Sequence, residues 1–389
     1  MNIDLSNILN KEQRKSIMDA LLTPFSWGYG GAVWLRNKAF DFGLLPQEEF
    51  DVPVVSVGNI TVGGTGKTPH VEYIIEALYR RYHIGVLSRG YKRKTKGFIL
   101  ASENMTPRDI GDEPYQIYHK FGNLITLAVC EKRRKGIREL LRIDPDINLI
   151  LLDDGFQHRY VKPKVNIVLI DYNRLPFEDR LLPLGTLREP AANMTRRCDM
   201  IVVTKCPTDL NAMDIRIVKK SLNNLNLLKY QKVFFSNIQY ADPVPVFPVQ
   251  SPQLASLQWM HDDDAVLCLT GIATPKPLVR YLRQFRANVK VMHFDDHHFF
   301  TRRDFTDIFR VYKELEGKRK FIITTEKDAV RIMNNPYYPP TKRNCIYYIP
   351  MRVAFLEFAD EHNFIDELVE KIEKQSEEPI STNDNEYDY

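Results

Sequence analysis

The sequence predicts an α/β protein built from a doubly wound parallel sheet and a second, smaller α/β domain, and three observations carry that expectation. The chain has 389 residues, more than one core usually accommodates, since cores stop growing near roughly 250 to 300 residues. From residue 52 onward, short apolar runs alternate with amphipathic stretches, the signature of βαβ units. At 44% hydrophobic and 27% charged, the composition is that of a folded globular chain.

At the N-terminal end, residues 16–45 hold Ile17, Leu21, Leu22, Phe25, Trp27, Tyr29, Val33, Trp34, Phe40 and Phe42, with Lys15, Arg36 and Lys38 nearby. Aromatic residues mixed with basic ones suit a helix lying in a membrane interface; a helix packed on the next domain is the alternative. The N-terminus is polar and lacks a basic stretch before an apolar run, and no apolar run reaches the roughly 18 residues a span requires. Residues 1–45 are therefore expected to be an N-terminal membrane-interface segment without a cleaved leader.

Residues 46–231 form the first domain, with strands expected at Val52–Val57, Ile84–Leu87, Leu124–Cys130, Ile147–Leu152, Val165–Ile170 and Met200–Thr204. Between them Val71, Ile74, Ile75 and Leu78, and then Ile137, Leu140 and Leu141, keep helical spacing. Residues 232–252, an apolar strand followed by Pro243, Pro245, Pro248 and Pro252, read as a connector. The smaller domain, 253–351, is expected to hold strands at Ala265–Leu269, Val289–Phe294, Phe321–Thr324 and Ile346–Ile349 and helices at Pro277–Phe285 and Thr301–Leu315. Thr301 and Asp304 form a capping-box pattern at the start of the latter. A C-terminal helix within 352–374 and a disordered acidic tail, 375–389, complete the chain.

Charge and cysteine content exclude several function classes. Lys plus Arg, 54, against Asp plus Glu, 50, gives a net charge of +4, too little to indicate nucleic acid. The five cysteines are odd in number and lack a CxxC pair, so neither a disulfide framework nor a zinc site is expected and a reducing, cytoplasmic setting is the natural one.

The most informative segment runs from Val54 to Pro69: a buried strand, then Gly58-Asn59-Ile60-Thr61-Val62-Gly63-Gly64-Thr65-Gly66-Lys67-Thr68 opening a helix. In such a loop the backbone N–H groups from Thr61 to Gly66 close around phosphate oxygens, Lys67 reaches the β and γ phosphates, and the Thr68 hydroxyl serves Mg²⁺. The pattern departs from G-x4-G-K-[ST] by Thr61 in the place of the first glycine. ATP and Mg²⁺ are the cofactors this P-loop NTPase-like context calls for. Asp153 and Asp154, directly after an apolar strand, are the candidate metal carboxylates, because two adjacent carboxylates there are costly without a cation; a solvated turn is the alternative.

Taken together, Gly58–Pro69, Ser88-Arg89-Gly90-Tyr91, Gly111-Asp112-Glu113-Pro114, Asp153-Asp154-Gly155-Phe156-Gln157-His158, Leu182–Gly185, Leu187-Arg188-Glu189-Pro190, Asp296–Phe300 and Thr325–Val330 resemble the tetraacyldisaccharide 4'-kinase family of the lipid A pathway. The resemblance runs in register from about Trp34 to Arg331. It departs from the family at Leu184, where alanine is usual, and at Lys132 before Arg133, where an Asp-Arg pair is usual. The latter leaves Arg133 and Arg134 in competition for one role.

The resemblance implies ATP-dependent phosphorylation of the 4'-hydroxyl of tetraacyldisaccharide 1-phosphate, giving the bis-phosphorylated lipid A precursor. It also implies a peripheral protein on the cytoplasmic face of the inner membrane, acting on a lipid-linked disaccharide; no obligate protein partner is evident. Asp112 is implied as the base, acting with His297, although Asp112-Glu113-Pro114 also suits a plain helix start. Arg188 and Arg133 are candidates to neutralise phosphate charge. Arg89, after a strand and before Gly90, suits a phosphate or sugar contact, a solvated basic loop with Lys92, Arg93 and Lys94 being the alternative. Asp296 is placed on the substrate side, and Gln157 and His158 beside the nucleotide or the metal's waters. Asp295, Asp296, His297 and His298 also suggest a metal site, disfavoured because no further ligand stands at suitable spacing.

Two rival functions remain. A membrane-associated P-loop ATPase or GTPase switch would share the loop, but Val203-Thr204-Lys205-Cys206-Pro207 lacks the aspartate of a guanine reader. A nucleotide-sensing adaptor would bind ATP without turnover.

Overall fold

The computed structural model describes residues 11–247, 254–272, 274–285, 287–356 and 363–374, with side chains from residue 19. The expected acidic tail, 375–389, lies outside the described residues. A long helix, α1 (Lys11–Asp41), precedes a first domain made of β1 (Val54–Asn59), α2 (Lys67–Leu78), β2 (Ile84–Ser88), β3 (Ile99–Leu100), α3 (Pro107–Ile110), α4 (Asp112–Phe121), β4 (Ile125–Val129), α5 (Arg133–Ile143), β5 (Leu149–Asp153), β6 (Val165–Asp171), α6 (Ala191–Thr195), β7 (Met200–Thr204), α7 (Ala212–Asn223) and β8 (Lys232–Tyr240). The second comprises β9 (Val244–Pro245), β10 (Ala265–Thr270), α8 (Lys276–Leu282), β11 (Asn288–His293), α9 (Arg302–Glu314), β12 (Lys320–Thr325), α10 (Glu326–Met333) and β13 (Ile346–Ile349), before β14 (Met351–Phe355) and α11 (Phe364–Glu373) return to the first.

The large sheet has nine strands in the order β14-β8-β7-β6-β1-β5-β2-β4-β3. Strands β8 to β4 are parallel, and the two edges, β14 and β3, are antiparallel. β1 is buried at every residue, as a strand covered by helices on both faces must be. Its neighbours β5 and β6 are consecutive in sequence yet lie on opposite sides of it. The crevice beyond the carboxyl end of β1 is therefore where a doubly wound sheet receives its ligand. The smaller sheet runs β11-β10-β12-β13-β9, parallel except for β9.

Two expectations need correction. The segment expected as a connector does begin with the expected apolar strand, β8, but that strand belongs to the large sheet, pairing with β7 across Met200–Val203. Its prolines mark only the residues beyond that strand, and Pro245 itself sits in the edge strand β9, where a missing donor is tolerated. The stretch 352–374 is not all helix, because β14 covers its first residues and pairs with β8 from Met351↔Tyr240 to Phe355↔Ser236. The chain thus passes from the large sheet to the small one after β8 and back after β13, two crossings close together at Tyr240 and Met351. α11 then seats Phe364, Leu368 and Ile372 in the core beneath α2 and α4. Thr301 does cap α9: Asp304 donates its backbone N–H to the Thr301 hydroxyl and accepts from the Thr301 N–H at 2.7 Å.

Candidate active site

The glycine-rich loop leaves β1 and delivers Lys67 as the first residue of α2. Gly63 and Gly66 take the positive φ values, 104° and 85°, which only glycine adopts without strain. Thr61 instead bridges Leu187 in extended antiparallel fashion, so the departure from a leading glycine costs the backbone nothing. Asn59, at the end of β1, donates to the Thr65 hydroxyl at 2.9 Å and accepts from Lys67 Nζ at 3.4 Å. The Thr204 hydroxyl donates to the Thr65 carbonyl at 2.9 Å. Thr68 sits next on the first turn of α2, half-buried.

β5 ends on Asp153, and Asp154 comes next in a left-handed turn with φ 54°. The two carboxylates face different surroundings. Asp153 is buried and accepts from the Ser88 hydroxyl at 2.9 Å; burial, with Glu113 and Asp154 nearby, pushes it up to about 7. Burial acts on Asp154 in the same direction, but Lys67 and Arg188, each 3.5 Å from its Oδ1, outweigh it and hold the carboxyl below its usual range. Asp153 Oδ1 and Asp154 Oδ1 are buried without a hydrogen bond, a donor set of hard oxygens suited to Mg²⁺.

Gln157 bridges these parts, donating to the Asn59 carbonyl at 2.7 Å and to Glu189 at 3.2 Å while accepting from Arg188 at 3.3 Å. His158 is kept neutral, driven down to about 4 by burial and by Arg133 and Arg89. A cleft of about 370 Å³ opens among these groups; Val62, Arg89, Asp153, Asp154, His158 and Arg188 line it, and so do Tyr29, Val33 and Arg36 of α1.

The two competing arginines, Arg133 and Arg134, point in different directions. Arg133 is 2% exposed and donates to the carbonyls of Cys130 at 2.6 Å and Asp153 at 3.4 Å. Its guanidinium is thus held by backbone carbonyls next to the carboxylates and does not line the cleft. Arg134 turns the other way, over the Tyr160 ring and toward Glu48.

Asp112 is the first residue of α4, so a helix does start here as expected, but Gly111 and not Asp112 is its N-cap; the Asp112 carboxylate is turned away to other partners. His297, from the loop after β11, reaches across and places Nδ1 2.7 Å from Asp112 Oδ2. Asp296 lies 3.6 Å from His297 Nε2. Burial would raise Asp112, but the hydrogen bonds from His297 and Arg331 hold it at about 2, fully ionised. Glu113 and Tyr91, beside the pair, also line the cleft. His298 is elsewhere engaged, 2.9 Å from Asp304 and stacked on Phe294.

Sequence reasoning missed Asn59 and Arg331 as functional residues. Asn59 lies inside the phosphate loop and Arg331 directly after Thr325–Val330, and that adjacency was the one signal available. Arg331 donates to Asp112 Oδ2 at 2.6 Å from α10.

α1 lies over this assembly. Ser26 donates to the Leu181 carbonyl at 3.0 Å, Tyr29 to that of Arg188 at 2.7 Å, and Arg36 to that of Gln157 at 2.8 Å. Its opposite side exposes Leu21, Phe25, Trp27, Trp34 and Leu35. No helix among the described residues is long and apolar enough to cross a membrane.

Comparison with known proteins agrees with this arrangement. The sequence profile of the tetraacyldisaccharide-1-P 4'-kinase family matches residues 18–380. A tetraacyldisaccharide 4'-kinase from Bacteroides thetaiotaomicron is 45% identical over 343 residues, covering 86% of this chain and 89% of that one. One from Porphyromonas gingivalis is 44% identical over 354 residues, covering 90% and 96%. The crystal structure of an "apo" form of LpxK from Aquifex aeolicus in complex with ATP superposes with a TM-score of 0.68 at 25% identity, covering 91% of this chain and 99% of that one. The chain belongs to the tetraacyldisaccharide 4'-kinase family.

Proposed function

We propose that this chain moves the γ-phosphate of ATP to the 4'-hydroxyl of a tetraacylated glucosamine disaccharide 1-phosphate while resting on a membrane surface, the cytoplasmic face of the inner membrane. The carrying observation is that one cleft is lined both by Val62 of the phosphate loop with the paired aspartates and by Tyr29, Val33 and Arg36 of α1. An acceptor with a sugar head and acyl tails fits such a cleft, and soluble acceptors have no use for the helix.

Phosphoryl transfer asks the protein chiefly for positioning and charge neutralisation. Backbone N–H groups from Gly63 to Gly66 and the start of α2 receive the phosphates, the Val62 N–H being given to the Thr186 carbonyl at 2.8 Å, and Asn59 holds Lys67 toward them. Thr68, Asp153 and Asp154 would hold Mg²⁺, which supplies neutralisation of phosphate charge when bound. Arg188, already beside Asp154, adds a guanidinium at the cleft, and Gln157 fixes its direction. Arg133 supports the same carboxylates from behind. Arg89, exposed on the cleft wall, serves the substrate's phosphate or sugar. The hydroxyl's proton is received by the Asp112–His297 pair, with Asp296 orienting the far side of the imidazole.

α1 supplies membrane attachment through its outward aromatic face. ATP consumption by the full chain, measured with and without the lipid disaccharide in mixed micelles, tests the proposal. Consumption that depends on the acceptor supports it; hydrolysis indifferent to the lipid would favour a membrane-associated ATPase switch.

A further inference from the structure

Arg331, on α10, has a side chain only 4% exposed, and its two terminal nitrogens are committed in opposite directions. Nη1 donates to Asp328 Oδ1 at 2.8 Å and to the Gly271 carbonyl at 3.0 Å, both within the smaller domain. Nη2 donates to Asp112 Oδ2 at 2.6 Å, across the domain boundary. Asp328 is itself pinned: it is fully buried and its Oδ2 accepts from the Gly271 N–H at 2.9 Å and the Thr325 hydroxyl at 2.7 Å.

We propose that Arg331, seated by Asp328, is the positioning residue that keeps Asp112 ionised and aimed at His297 Nδ1, and so decides which imidazole nitrogen retains its proton. The proposal rests on reading the Asp112–His297 pair as the receiver of the acceptor hydroxyl's proton. A guanidinium offers donors only and stays charged. The 3.2 Å approach of Arg331 Nη2 to His297 Nδ1 is therefore two donors converging on one oxygen, Asp112 Oδ2. An ionised carboxylate 2.7 Å away holds the proton on Nδ1, and the lone pair of the neutral ring is then on Nε2, on the side of Asp296. Because the guanidinium is anchored in one domain and its acceptor in the other, the alignment exists only while the domains are together.

The other charges facing the pair are few. Asp296 stands at Nε2. Lys327 pairs with Glu113 at 3.3 Å and adds a more distant cation to Asp112. Asp328 lies beyond the guanidinium, and the Tyr91 ring is 6.1 Å from that of His297. Removing Arg331 takes away the cation in direct contact with the carboxylate and leaves Lys327, so Asp112 binds a proton more readily.

The test uses the full chain with ATP and the lipid disaccharide, comparing wild type, Arg331→Gln and Arg331→Lys. Arg331→Gln is expected to lower kcat about tenfold or more and to move the acidic limb of the kcat profile up by about one pH unit, with KM for ATP unchanged. Arg331→Lys keeps a charge but loses the fork that spans Asp328 and Asp112. Its limb should stay near the wild-type position while kcat recovers only in part. Nitrogen NMR of His297, assigned with His297→Asn, should report a proton on Nδ1 in wild type and a mixture of tautomers in Arg331→Gln.

The NMR readout needs no turnover, so it separates this proposal from the reading beneath it. Near-normal kcat in both Asp112→Asn and His297→Asn would overturn the proton-receiving pair, and the proposal built on it. A folded Arg331→Gln enzyme with the wild-type pH profile and unchanged His297 nitrogen signals would overturn Arg331 alone. Loss of kcat with an unmoved limb and unmoved signals would make Arg331 a structural pin and would also overturn it.

Discussion

The outward face of α1 makes a quantitative prediction about membrane attachment. Trp27 and Trp34 are 75% and 59% exposed, while Ser26, Asn37 and Phe40 on the facing side are buried. A tryptophan offers roughly 250 Å², so together the two present about 340 Å² to solvent. At about 25 cal/mol per Å², full transfer of that area from water would be worth about 8 kcal/mol, and an interfacial helix that inserts half of it gains about 4 kcal/mol. The double variant Trp27→Ser/Trp34→Ser should therefore bind vesicles about a thousandfold more weakly. Neither side chain touches the nucleotide cleft, so ATP affinity should not change. Flotation with liposomes of bacterial lipid composition, alongside ATP titration, measures both. If the double variant floats like wild type while binding ATP normally, α1 is not the membrane anchor and its exposed aromatic face needs another explanation.

Other expected outcomes concern chemistry and stability. Lys67→Ala should remove most turnover and leave the thermal transition near wild type, because Lys67 contacts Asn59 and Asp154 rather than core; kcat and circular dichroism decide. Asp112→Asn and His297→Asn should each cost roughly 10² to 10⁴ in kcat, and the double variant little more, because one pair does one task; multiplicative losses would show two independent tasks. Asparagine is the right replacement at Asp112, since it preserves an acceptor for Arg331, whereas alanine would strand a buried donor at a cost of about 1–3 kcal/mol. His70, buried and bonded to the Gly66 carbonyl at 2.7 Å and the Ser236 hydroxyl at 2.9 Å, gives a pH prediction for folding, because burial drives it down from 6.5 to about 4. The neutral ring is the folded form, so its contribution is complete above the unfolded value of 6.5 and is lost as pH falls through about 4. The loss amounts to at most about 3 kcal/mol. His70→Asn should therefore show a shallower fall in Tm between pH 7 and 5 than wild type; an equal slope would contradict the assignment.

Much of the fold was legible because local signals and tertiary environment agree. The strands expected at Met200–Thr204 and Ile346–Ile349 have those bounds, since each is a short apolar run buried on both faces. β8 was legible as a strand but not as a member of the large sheet, and β14 was not legible at all. The prolines after β8 made its segment read as a connector, and β14 finds its strand partner, β8, more than a hundred positions earlier, where no local signal points. The phosphate loop and the carboxylates were legible because neighbouring residues carry the chemistry. Arg331 was not, because its acceptor Asp112 lies 219 positions away and its place directly after Thr325–Val330 was the one local hint. The choice between Arg133 and Arg134 likewise depended on which way α5 turns in space. For α1, the structure shows one face docked on the domain and the other open, so packing on the domain leaves an aromatic face free for a membrane.

The most direct test of the account is the chemical identity of the product. Full chain, ATP, Mg²⁺ and purified tetraacyldisaccharide 1-phosphate in mixed micelles should yield a lipid heavier by one phosphate, with NMR coupling that places the new group at the 4' carbon. An unmodified lipid recovered alongside consumed ATP, or a phosphate added at any other hydroxyl, would contradict it.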